Sequence, residues 1–293
     1  MPNVDDRLQS ILTSWARKVR ARQAEEDMLQ QGTVWANQRH RANTQDPRVQ
    51  SYPLDGLSAG NLARKRGALA PLRPREREFY RNFPLLPFYA VHFTNNELRD
   101  AQTGKVSIFS RRRLLHNHPE IVFAEQNTSG ADIITAGNDD YVFFSLECGR
   151  QSQKQYSRFG SKAYRFDLNQ GAFKYAWASL NDMVDPKHSA TLVNTFRSLT
   201  DDDRIRLKNM TRLTNNPVNI FKGKHILDGI ALSIIGISRL LSNNAAEELL
   251  AARQPHEVDR VMNMLFRPEI KVARYFFADN YEYSDKKPQA PKR

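Results

Sequence analysis

Near Arg75 the chain changes character, and that break governs what it can fold into. Ahead of it, only residues 6–29 carry a helical pattern. There Leu8, Ile11, Leu12, Trp15 and Val19 recur at spacings of three and four, with Arg17, Lys18, Arg20 and Arg22 elsewhere on the wheel. Residues 30–75 are rich in Gln, Asn, Arg, Gly and Pro, which suits an irregular linker. Past the break, Phe79, Tyr80, Phe83, Leu85, Leu86, Phe88 and Tyr89 crowd together, punctuated by Pro84 and Pro87. The expectation is a leader over 1–75, one folded domain over 76–283 and a mobile Lys- and Pro-rich tail over 284–293.

Within the domain, strand and helix signals mix, so the expected class is α+β. A first strand is predicted over 88–94. A short helix capped by Asn95 or Asn96 follows, with Glu97 in its first turn and Gly104 as its stop. A strand over 106–109, a basic segment and a polar loop over 127–140 come next. Residues 141–146 read as a buried strand. Tyr164, Phe166 and Leu168 alternate with Arg165 and Asp167, so 163–168 reads as a half-exposed strand. Residues 175–265 read as mostly helical, with a helix start at Thr200–Asp203 and a buried helix over 225–241. Gly229 and Gly236 in that helix indicate close packing. Further helical signals cover 247–250 and 258–265, and 269–277 reads as a late strand.

Several classes fall away. No apolar run reaches the ~18 residues of a membrane helix. The longest, 226–241, is interrupted by Asp228 and Arg239. The N-terminus does not read as a Sec signal peptide. Cys148 is the single cysteine, which excludes an internal disulfide and a multi-Cys zinc site. The formal charge of +12 favours an anionic partner. Residues 1–75 hold 13 Lys and Arg against 7 Asp and Glu, so the excess is denser there than in the rest of the chain. The basic clusters (64–66, 73–77 and 111–113) are short and separated, which disfavours sequence-specific nucleic-acid binding.

Three places carry chemistry. His92 and Thr94 close the first strand. An imidazole there can donate to a ribose hydroxyl while Thr94 orients the ring, although a lone strand histidine is more often a satisfied core residue. Phe143 and Ser145, with Tyr156 a dozen positions on, can wall a slot for a planar ring, or simply fill a hydrophobic strand. Glu269 follows Pro268 at the mouth of the late strand. It can accept from a ribose hydroxyl and stabilise positive charge at an anomeric carbon, as in glycoside cleavage, or it is ordinary surface charge. Arg111 and Arg112 can grip a pyrophosphate bidentately.

In this order the residues resemble the ADP-ribosyltransferase superfamily with its histidine–aromatic–glutamate pattern. His92-Phe93-Thr94 is similar to the family's His-Gly-Thr/Ser motif, with Phe93 in place of glycine. Val142-Phe143-Phe144-Ser145 is similar to its central aromatic strand, and Glu269-Ile270-Lys271-Val272 to its catalytic glutamate strand. Arg112, Phe143 and Glu269 follow the order of the CteC-type bacterial effectors, which modify host ubiquitin on threonine.

The resemblance implies a split β-sheet core with flanking helices and a basic leader, covering roughly residues 80–280. It implies NAD as substrate without a metal, Glu269, Phe143 and Arg112 as catalytic residues, and His92, Thr94, Arg111, Arg112, Phe143, Ser145 and Tyr156 as NAD contacts. It also implies a secreted effector acting in the host cytoplasm on a protein acceptor, ubiquitin among the candidates, with 1–75 serving type III secretion and a chaperone. Arg267 stands two residues before Glu269, where arginine-modifying members carry a second glutamate, so an acceptor other than arginine is favoured. The rival readings are a nonenzymatic basic protein docking on an acidic partner or membrane through 6–29, and a nucleic-acid-binding protein.

Overall fold

A computed structural model describes residues 39–40, 52–123, 138–151, 157, 159–180, 196–210 and 220–285. The expected helix over 6–29, most of the 127–140 loop, Tyr156 and the tail beyond 285 lie outside the described residues.

Two short strands, β1 (Arg39–His40) and β2 (Tyr52–Pro53), pair antiparallel. Helix α1 (Leu54–Leu69) follows and is sewn into the domain. Asn61 Nδ2 donates to the Ile220 carbonyl at 3.0 Å, and Ser58 Oγ accepts from the Lys222 amide at 2.8 Å. Leu62 and Leu69 are buried in the main core. Helix α2 (Pro74–Asn82) starts on a proline, whose missing N–H costs nothing there, and Glu76 accepts from the Arg73 amide at 2.7 Å. Arg239 then joins Glu76 to the Leu69 carbonyl, with Nη2 at 2.7 and 2.8 Å. The packed domain therefore begins before Arg75. The linker expected over 30–75 is corrected for about its second half, where small and basic residues masked the helical signal of α1.

The frame is a seven-stranded antiparallel sheet built from β3 (Phe88–Thr94), β5 (Tyr141–Cys148), β6 (Lys162–Asp167), β7 (Trp177–Ser179), β8 (Ile220–Lys222), β9 (Glu269–Ala273) and β11 (Glu282–Asp285). Their order is β11-β6-β3-β5-β9-β7-β8. A separate antiparallel pair joins β4 (Val106–Phe109) to β10 (Tyr275–Ala278). Helices α3 (Arg111–Asn117), α4 (Asp201–Met210), α5 (His225–Ser238), α6 (Asn243–Ala251) and α7 (Pro255–Leu265) are the further α-helices among the described residues. The class is α+β.

One sheet face is apolar. Ala90, Phe144, Leu146, Phe166, Ile270 and Val272 join the main core with Phe276 and the helices. Gly229 lets α5 approach β8 closely, since a Cβ there would come within 2.3 Å of the Phe221 ring.

Four element expectations are corrected. The helix over 95–104 is absent, because local side chains take the backbone donors. Thr94 Oγ1 accepts from the Asn96 amide, and Asp100 Oδ1 accepts from the Gln102 and Thr103 amides, bonds that compete with helix. The strand over 163–168 is buried rather than half-exposed, since Arg165 is ion-paired to Glu147 and Glu282 and lies 4.6 Å from the Tyr89 ring centre. Strands β7 and β8 fall inside the stretch read as helical; three residues are too few to show a period. The late strand divides at Arg274, whose φ of 62° turns the chain from β9 into β10. The turn is held by the Arg274 amide donating to the Asp140 carbonyl at 2.8 Å and the Ser110 amide donating to the Arg274 carbonyl at 2.7 Å.

Candidate functional site

The other face of the sheet sets polar side chains among apolar ones. Antiparallel register sets Val91, Ser145, Glu269 and Ser179 in one row across β3, β5, β9 and β7. Phe143, Lys271 and Trp177 form the next row. Alternation puts both rows on one side, with directly opposed Cβ atoms about 4.5–5.5 Å apart and diagonal neighbours about 7–8 Å apart. Phe143 and Glu269 are such diagonal neighbours. The structure thus brings together Phe143, Ser145 and Glu269.

Lys271 ties the two rows. Its side chain is fully buried, with Nζ 4.6 Å from the Trp177 ring centre, 5.2 Å from that of Phe143 and 3.6 Å from Glu269 Oε2. A buried ammonium needs such compensation, here a carboxylate and two π faces. Glu269 keeps about a quarter of its side chain, 27%, open to solvent. Beyond it, Tyr141 packs edge-on against Trp177 at 5.5 Å.

His92 is placed differently from the expectation. By register its ring lies on the face of Phe144, 5.7 Å away edge-on, just past the last β3–β5 pair. It reaches the Phe143 row only through the backbone: Nδ1 lies 2.8 Å from the Phe143 carbonyl oxygen. Because a carbonyl can only accept, Nδ1 is the donor. Burial lowers the His92 pKa, against the raising effect of that hydrogen bond, and leaves the ring neutral. Nε2 then carries the lone pair, so toward a ribose hydroxyl the ring accepts rather than donates. The Phe143 carbonyl, not Thr94, fixes its orientation; Thr94 is engaged with Asn96.

The arginines stand at the opposite end of β5. Ser110 caps α3, accepting from the Arg113 amide at 3.3 Å, so Arg111 and Arg112 begin the helix. Arg112 is largely exposed and lies 3.6 Å from Asp140, the residue before β5. Burial pushes the Asp140 carboxyl up, opposed by Arg112 and Arg274. Arg111 lies over the Phe123 ring at 5.2 Å. Arg112 is therefore near the start of β5, while Glu269 lies opposite Ser145, four residues along the strand.

Sequence reasoning assigned no role to Lys271, Trp177 or Ser179. Lys271 was legible: period-2 alternation puts it beside Glu269 on one face. Trp177 and Ser179 carried no signal, because β7 is only three residues long. Cys148 is fully buried and its thiol is pushed up to about 12 by burial, then by Asp259, so it is no thiolate nucleophile. Among the described residues no helix is long and apolar enough to cross a membrane, and no three His, Cys, Asp or Glu side chains group as metal ligands.

No family model matches the chain. It is nonetheless distantly homologous to a group of curated bacterial proteins. It is 23% identical to arginine ADP-riboxanase OspC1 of Shigella flexneri over 291 residues, 93% of this chain and 60% of that protein. It is 23% identical to OspC3 of the same organism over 298 residues, 94% and 59% of the two chains. It is 24% identical to arginine ADP-riboxanase CopC of Chromobacterium violaceum over 247 residues, 78% and 49%. The chain spans three fifths or less of the length of these relatives. Their names specify arginine, whereas the residue preceding Ile270 by three, Arg267, had pointed away from an arginine acceptor. Nothing in these likenesses supports ubiquitin.

Proposed function

We propose that the chain transfers ADP-ribose from NAD to an arginine of a host protein, as the names of its distant relatives suggest, and that it acts as a secreted bacterial effector. The observation that carries this reading is the juxtaposition of Phe143, Lys271 and Glu269 on adjacent strands. An aromatic face and a carboxylate thus lie diagonally on neighbouring strands, about 7–8 Å apart, which suits a ring and its attached ribose side by side.

In this reading Arg112, with Arg111, grips the pyrophosphate. Phe143 lies against the nicotinamide. Ser145, on the face of Phe143 and Glu269, lines the ribose, whereas His92 and Thr94 alternate to the opposite face of the sheet and are left out of the ribose contacts. The ribose C–N bond breaks with its electron pair leaving on nicotinamide, and Glu269 stabilises the positive charge that develops on the sugar. An arginine nitrogen then attacks the anomeric carbon and releases a proton. The homology replaces the threonine of ubiquitin with arginine as the proposed acceptor. In place of a second glutamate, Lys271 fixes Glu269 from the adjoining row.

The test is nicotinamide release from NAD. Removing one preorganised electrostatic group costs about 10²–10³ in rate. Glu269→Gln takes the carboxylate from beside buried Lys271, so it should lower Tm and also lose at least about a hundredfold in turnover per folded molecule. Native turnover in that variant sinks the reading. The nonenzymatic alternative predicts no nicotinamide release from the wild-type protein at all.

A further inference from the structure

Ser179 presents a buried group that the fold does not explain. Its side chain is 5% exposed, and Oγ has no hydrogen-bond partner. Buried hydroxyls are nearly always paired, and leaving one unpaired is costly. Two neighbours do not share this state: the Ser145 hydroxyl donates to the Val91 carbonyl at 3.3 Å, and Lys271 lies by Glu269 and two rings. Ser179 lies directly opposite Glu269 in the β7–β9 ladder, so both side chains emerge side by side on the polar face. Glu269, partly open to solvent, is the neighbour through which a ligand comes within reach of the serine.

We infer that Ser179 is a further substrate-binding residue, whose hydroxyl pairs with one hydroxyl of the nicotinamide ribose while the neighbouring one donates to Glu269. This inference rests on the NAD reading above. A ribose presents two adjacent hydroxyls, and Glu269 with Ser179 presents two adjacent polar groups, one acceptor only and one able to donate. The serine is already desolvated, so its new hydrogen bond needs no loss of water on the protein side. The cost of its burial is met only when substrate is bound. A purely structural serine would have a partner within the fold.

The test compares the full-length wild-type chain with Ser179→Ala, using three probes by calorimetry: NAD, ADP-ribose and ADP. ADP lacks the ribose in question. Removing an unpaired hydroxyl should leave Tm unchanged or raise it. NAD and ADP-ribose affinities should fall about tenfold, the worth of one hydrogen bond of ordinary strength, while ADP affinity stays native. Native affinity of the variant for ADP-ribose overturns the inference and leaves the NAD reading standing. An equal loss for ADP also overturns it, by showing a general disturbance of the site. A wild-type chain that binds neither NAD nor ADP-ribose overturns the NAD reading, and the role of Ser179 with it.

Discussion

At the scale of single residues, the site turns on how Lys271 and Phe143 divide their work. Phe143 gives a ring face and no charge, so Phe143→Ala should weaken NAD binding by calorimetry; unchanged affinity would remove the stacking role. Lys271 is fully buried against Glu269, Trp177 and Phe143. Lys271→Met removes the ammonium beside Glu269, whose carboxylate stays partly open to solvent, so the cost is smaller than the about 3–5 kcal/mol of a fully buried pair. Lower Tm together with a larger loss in kcat than in NAD affinity is the expected pair of results, and a kcat that stays native contradicts the placement of Glu269 at the reacting centre. His92 shows where the sequence fell short. Its position at the strand end was legible, but its ring orientation depended on a carbonyl fifty-one positions away. No local pattern encodes such a contact.

At the scale of elements, strands of five residues or more and the later helices were legible because their periods were sampled several times. Strand β3 matches its expected bounds, and α7 carries its Pro255 and Glu257 start signals. Strand β7 and the bend at Arg274 were not, because a three-residue strand has no period and a single left-handed residue has no signature unless it is glycine. Helix α5 supplies a sharp test. Gly229→Ala drives a methyl into the Phe221 ring and should destabilise by about 1–3 kcal/mol, read as a lower Tm, with no change in nicotinamide release per folded molecule.

Helix α4 supplies another. Burial alone would raise the Asp203 carboxyl, but hydrogen bonds from Ser242 and Thr200 outweigh it and hold the group at about 2. A folded pKa below the unfolded value of about 3.9 adds stability above that value, and the gain is lost as pH falls toward 2. Asp203→Asn should therefore lower Tm at pH 7 more than at pH 2.5; equal losses at both would remove the charge from the account.

At the scale of the whole molecule, the break near Arg75 was visible but did not mark the edge of the packed domain. Helix α1 contributes Leu62 and Leu69 to the core, and Arg239 clamps α1 to α2. Deleting residues 1–75 should thus destabilise the domain, read as a lower Tm. The α+β class was legible from the mixture of periods; the sheet order was not, because strands distant in sequence lie side by side. Strand β9 sits between β5 and β7 and so brings Glu269 beside Ser145 and Ser179.

The most direct test of the central claim is to incubate the full chain with isotopically labelled NAD and host-cell lysate, then locate the label by peptide mass spectrometry. The account predicts label on an arginine side chain with the wild-type protein, and at least about a hundredfold less with Glu269→Gln. Label on another residue type would contradict the arginine acceptor, and equal labelling by the two proteins would contradict the site itself.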